Sequence, residues 1–158
     1  MKRRSVCTVV GILWVVTIVV IGWSFVQGWT APSTDGRTEV LLAPSERDLV
    51  LTEMRDLLEA VSGVVSGLSD PSKSPIQAAQ AARAAGMQMA ADVNPTLMAK
   101  LPLAFKQMGM SVHRDMDGLA DAVAGGETPQ QILNRLASIT ARCTTCHDMY
   151  RFGTDKAR

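Results

Sequence analysis

The chain has few of the side chains from which metal centres and enzyme sites are made. Among its 158 residues are three cysteines and two histidines. A structural zinc site needs four nitrogen or sulfur ligands. Outside one cluster near the C-terminus only Cys7 and His113 remain, and Cys7 lies in an apolar N-terminal run, so zinc is excluded. Neither sign of charge is in excess: the formal net charge is +1 with no block of like charge, and nothing in it asks for a nucleic-acid partner. No alternating strand pattern is evident, and no acid–base or nucleophile constellation, so the chain does not read as an enzyme. Tryptophan is absent after residue 29; Trp14, Trp23 and Trp29 are all in the N-terminal part.

What the chain does have is Cys143-Thr144-Thr145-Cys146-His147. C-x-x-C-H is the string to which a haem is covalently attached. Two thiols at this spacing add to two vinyl groups on one porphyrin edge, and the imidazole that follows reaches the iron. On a helix, positions i, i+3 and i+4 share a face, so all three side chains meet one flat cofactor. A redox dithiol would instead open a helix after a strand, and no strand is expected upstream.

Lys2, Arg3 and Arg4 precede an uncharged apolar run from Val6 to Val26. Roughly twenty such residues cross a bilayer, more than the core of a usual signal peptide. The positive flank stays in the cytoplasm, Trp23 and Trp29 suit the far interface, and everything beyond is exported. Residues 1–30 are thus expected to be a retained anchor, the alternative being a cleaved signal segment with a weak processing site at Val26-Gln27-Gly28. Cys7, at the start of the run, reads as a small buried hydrophobe.

Residues 31–44 read as a linker. Residues 45–158 read as four helices. The first opens at Ser45 with Asp48 three residues on, and carries an apolar stripe from Val50 and Leu51 through Met54 to Leu68. Ser74-Pro75, Asn94-Pro95 and Thr128-Pro129 each pair a cap residue with proline at the first helical position. The second helix is expected over 75–92. The third ends at Gly125-Gly126, with Pro102 a kink or its true start. In the fourth, Ile132, Leu136, Ile139, Cys143, Cys146 and Tyr150 recur as a bundle seam, which places the two cysteines in the bundle interior. The fold class expected is all-α: an antiparallel four-helix bundle carrying covalent haem, preceded by a transmembrane helix or signal segment.

A bundle with C-x-x-C-H in its last helix and a short basic tail resembles the class II c-type cytochromes, the cytochrome c prime family. The resemblance covers about residues 45–153. It rests on the ending from Cys143 to Arg151 and, in the first helix, on Arg47, Leu51, Met54 and Val64-Val65-Ser66-Gly67. It implies one covalent haem c on Cys143 and Cys146, with His147 as the iron ligand. It further implies Arg47 pairing with a propionate, Leu51 over the open face of the iron, and Arg151 as the basic residue one helical turn after His147. Met54 is the rival to Leu51 but is expected to fill core, as are Met87, Met89, Met98, Met108 and Met116.

The membrane run departs from the family's usual solubility, Phe105-Lys106-Gln107 fits only with a small length change, and His113 has no family role and is expected to be half-exposed. The implied activity is electron transfer on the periplasmic side of a bacterial inner membrane, or in the soluble periplasm if the segment is cleaved. The iron is expected to be five-coordinate and able to bind small gases; the alternative is a nitric oxide or carbon monoxide sensor. Expected partners are redox proteins of the periplasm or inner membrane and, through the N-terminal helix, the membrane itself. A homodimer is compatible with this reading.

Overall fold

The computed structural model describes residues 2–70, 75–92 and 94–154. It is mostly helical, with helices α1 (Lys2–Gln27), α2 (Pro44–Ser69), α3 (Pro75–Ala84), α4 (Pro95–Lys100), α5 (Leu103–Ala124) and α6 (Pro129–Met149). The cap–proline boundaries at Asn94 and Thr128 hold. Asn94 Oδ1 accepts from the Thr96 amide at 2.8 Å, and Gln131 Oε1 accepts from the Thr128 amide at 2.9 Å, which satisfies donors that the first turn leaves free. α3 begins at Pro75, and Ser74 lies outside the described residues. α2 begins one residue before Ser45: Pro44 is its first residue, and Glu46 reaches back to accept from the Ala43 amide at 2.8 Å.

Two expected helices are corrected. The second stops at Ala84 instead of 92, because Asp117 of α5 accepts from the Met87 amide at 2.9 Å and holds the chain in a turn there, followed by a short 3-10 segment, Met89–Asp92. In the third, Pro102 marks the true start: α4 is a separate single turn and a half, and α5 opens at Leu103.

α2, α3, α5 and α6 close around one apolar cluster that includes Val64, Ala82, Met116, Leu119, Ile132 and Leu136. The alanine-rich α3 brings backbones close together; a Cβ at Gly67 would lie 2.9 Å from Ala78 Cβ. A second cluster joins Val40, Leu42, Val50, Leu97, Leu101 and Phe105, with Met54, Cys146, Tyr150 and Phe152 packed on it.

The mostly helical expectation holds, and that second cluster adds to it a small sheet that was not expected. Residues 31–44 are not a linker: β1 (Thr30–Pro32) pairs antiparallel with β2 (Thr38–Leu42), and β2 pairs parallel with β3 (Tyr150–Thr154). In β2, Val40 and Leu42 point inward and are fully buried. Phe105 meets Tyr150 and Phe152 edge-on at 5.4 and 5.9 Å between ring centres. These strands are three to five residues long, too short for alternation to stand out in sequence.

α1 is long and apolar enough to cross a membrane, and its residues 6–27, Cys7 included, are exposed rather than buried. Its C-terminal end is fixed to the body. Gly28 takes φ +64° and lies against the Leu101–Pro102 backbone, where a Cβ would be 2.6 Å from Pro102 N. The Trp29 amide donates to Lys100 O at 2.7 Å, and Trp29 O accepts from the Leu41 amide at 2.8 Å. Lys106 Nζ sits 3.6 Å above the Phe25 ring centre, and Lys100 Nζ 5.0 Å from that of Trp29.

Candidate cofactor site

α6 contributes Ile139 to the first cluster and Cys146 to the rim of the second, and between the two clusters lies a cleft of about 130 Å³. Cys143, Cys146 and His147 all line it from α6. Facing them are Val50, Met54 and Leu57 of α2, Leu97 of α4, and Phe105 and Val112 of α5, a wall almost wholly apolar. The three side chains spread along one face, as the i, i+3, i+4 spacing requires. Among the described residues no three His, Cys, Asp or Glu side chains gather around a point to hold a bare ion.

The cysteines are nearer the solvent than the seam implied. Cys143 is exposed and Cys146 half-buried, both at the mouth of the cleft. The seam holds through Ile139 and then opens, because the strand pair and Phe105, not another long helix, stand opposite the last turns of α6. Desolvation raises the Cys146 thiol to about 11 and raises Cys143 too, the charge of Cys143 adding to the effect on Cys146. The pair also sits at the C-terminal end of α6, where the helix dipole disfavours a thiolate. A dithiol redox site needs the opposite, a depressed thiol pKa at a helix N-terminus.

An adjoining cavity of about 200 Å³ shares Met54, Phe105, Cys146 and His147 with the cleft. Leu51 lines this second space and not the first, whereas Met54 lines both. Arg47, one turn before Leu51, lines neither; its Nη2 reaches Asp48 at 3.3 Å, and its Nε is buried without a hydrogen-bond partner among the described residues. Arg151 is not on the helical face of His147, because α6 ends at Met149 and Arg151 belongs to β3. There it pairs with Asp35 and Glu39, each at 3.4 Å, while still lining the adjoining cavity.

Five polar residues at the site had no assigned role in the sequence. Arg37 lines the adjoining cavity and donates to the carbonyl of His147 at 3.2 Å. Arg142 lines the cleft, paired with Asp115. Lys106 is buried, donates to Met98 O at 3.1 Å, and has its pKa lowered by desolvation. His113, expected to be half-exposed, is 3% exposed and lines the cleft with Glu53. Its Nδ1 is 2.8 Å from Ala85 O and its Nε2 is 2.9 Å from Glu53 Oε1. The only signal for it was its position on the flank of the α5 stripe, and what decides its burial is the turn after α3.

No protein-family model, curated protein or solved structure matches the chain.

Proposed function

We propose that the chain is an exported, membrane-tethered class II c-type cytochrome, in which α2, α3, α5 and α6 form an antiparallel four-helix bundle carrying one haem c. The carrying observation is that both thiols and the imidazole of Cys143-x-x-Cys146-His147 open onto one apolar cleft. The donor set suits the group. A porphyrin is a flat apolar disc, and aliphatic, aromatic and thioether side chains make up most of the lining of this slot, with Glu53, Lys106, His113 and Arg142 also on it. Cys143 and Cys146 would hold the group through thioethers, each S–H adding across a vinyl double bond with sulfur to one carbon and hydrogen to the other, a step that would need no oxidant or reductant. The propionates are anionic, and among the described residues the buried Nε of Arg47, which lies outside the lining of both cavities, is a donor without an acceptor. When bound, the haem supplies a one-electron Fe(III)/Fe(II) couple. The chain's own part is to hold His147 in place through the Arg37 hydrogen bond to its carbonyl and to present a mostly apolar cleft whose mouth, where Cys143 and Cys146 lie, would be open to redox partners.

Gas binding is the second reading, and the committed nitrogens favour it. Both ring nitrogens of His113 are already hydrogen-bonded, and Lys106 is held by carbonyl oxygens, so neither is free as a sixth ligand. Across from His147, α2 offers Leu51, which has no lone pair, and the thioether of Met54. We expect a five-coordinate iron: an oxidised spectrum that is high-spin or spin-mixed, and carbon monoxide binding on reduction. Leu51→Met should shift the spectrum toward low-spin, and Met54→Leu should leave it nearly unchanged. A low-spin wild-type spectrum that disappears in Met54→Leu would make Met54 the ligand instead.

The anchor reading is supported by the junction at residues 25–32. Cleavage after Ala31 would remove Trp29 and most of β1, and with them the hydrogen bonds to Lys100 and Leu41. The mature protein should fractionate with membranes, resist extraction by high salt and keep the full intact mass with Trp14, Trp23 and Trp29. A soluble mature form whose intact mass lacks the N-terminal segment, cut after Gly28 or after Ala31, would overturn the anchor.

A further inference from the structure

His113 and Glu53 stand on the wall of the cleft, outside the attachment motif and without a part in the function proposed above. Geometry alone fixes how many protons they hold. Ala85 O can only accept, so Nδ1 of His113 carries a proton. Nε2 faces a carboxylate oxygen at 2.9 Å, a distance at which a proton must lie between them, on the nitrogen or on the oxygen. The pair therefore binds one proton more than a neutral imidazole beside a carboxylate does, and it is neutral as a unit. Losing that proton would leave a net negative charge in a largely apolar slot. His113 is 3% exposed and the Glu53 side chain 27%, so the proton has a path to solvent through Glu53.

We propose that His113 and Glu53 form a proton-binding site that takes up a proton when the cofactor in the cleft is reduced, which makes the protein a proton-coupled electron carrier. The inference rests on the haem reading of the cleft. Reduction adds one negative charge to a space of low dielectric, and that charge favours the neutral, protonated pair over the negative one. By linkage the effect is reciprocal: a bound proton favours the reduced state.

The other charged groups around the pair do not remove the effect. Asp117, one turn along α5, acts on His113 in the same sense and is paired at 3.0 Å with Arg83 of α3, which also pairs with Asp121. From α6, Arg142 lines the cleft but is paired with Asp115. Lys106 of α5 also lines it, and His147, Cys143 and Cys146 close it from α6. Burial pulls the imidazole pKa of His113 down, but the hydrogen bonds to Glu53 and Ala85 O together with the charges of Glu53 and Asp117 outweigh it and leave the pKa above its ordinary value.

The test is a spectroelectrochemical titration of the full-length holoprotein between pH 5 and 10, with side-chain nitrogen NMR of His113 in both oxidation states. We expect the His113 proton to be bound about tenfold more tightly in the reduced protein, which converts to a fall in midpoint potential of about 59 mV across the titration. Glu53→Gln keeps the shape and a partner for Nε2 but removes the shared proton; its potential should be flat over that range, with the optical spectrum of the oxidised form unchanged. An equal pH dependence in wild type and Glu53→Gln would overturn the proposal. If the variant does not fold, an identical His113 titration in the two oxidation states of the wild type overturns it. A protein without covalent haem would overturn the cytochrome reading instead, before any potential is measured.

Discussion

Replacing both Cys143 and Cys146 by alanine should give an exported, folded protein with no covalent haem at all. The wild-type intact mass should exceed the sum of its amino acids by one haem, and the double variant's should not. Haem-dependent staining in a denaturing gel should be present in the first and absent in the second. The loss is expected to be complete because no other described thiol lines the cleft; Cys7 is on α1. The fold should survive. Cys143 is exposed and Cys146 only half-buried at the rim of the second cluster, so truncating them costs about 1 kcal/mol, the middle of the range for point changes. His147→Ala separates the roles further: Cys143 and Cys146 would still be available to hold the group, and the spectrum should change because the imidazole that would ligate the iron is lost. Haem released from the wild type by acid and acetone would mean that attachment is not covalent, and the cytochrome reading would fail.

The second large effect is expected at the hinge between anchor and body. Gly28→Val should destabilise the domain that follows α1 by roughly 2–3 kcal/mol, through the left-handed backbone forced on a β-branched residue and the clash of its side chain with neighbouring backbone. The strain is inescapable there, since φ is +64° and the atoms a Cβ would meet are main-chain atoms of Lys100, Leu101 and Pro102 that cannot swing aside. Gly36, also at positive φ (+83°), has nothing within reach of a Cβ, so Gly36→Ala serves as the control: it carries the backbone cost without the clash, about 1 kcal/mol. Thermal melts in detergent, followed by helix circular dichroism, would measure both. Equal melting temperatures for Gly28→Val and wild type would show that the anchor hangs free of the body. Because the hinge joins α1 to the α4–α5 corner that lines the cleft, loosening it is also expected to broaden the haem spectrum.

Local chemistry decided a good deal without help from the fold. The uncharged run from Val6 to Val26 behind Lys2, Arg3 and Arg4 dictates a long apolar helix, since length and hydropathy need no partner to be read. Asn94-Pro95 and Thr128-Pro129 set helix starts by satisfying free amides within three residues of themselves. The C-x-x-C-H string places three side chains on one helical face by periodicity alone, and all three do line one cleft.

What depended on distant residues was settled only by tertiary structure. The strands at 30–32, 38–42 and 150–154 exist because Val40 and Leu42 bury against Phe105 and the end of α6, pairings that span about a hundred residues and leave no periodic trace. The same pairing ends α6 at Met149 and takes Arg151 off the helical face assigned to it. The second helix stops early because a carboxylate from α5, Asp117, captures the Met87 amide. His113 is buried and paired because that turn carries Ala85 O to one side of its ring while α2 brings Glu53 to the other. A sequence specifies hydrogen bonds within a few residues through spacing, but a polar pair sixty residues apart becomes a site only when packing removes the water between them.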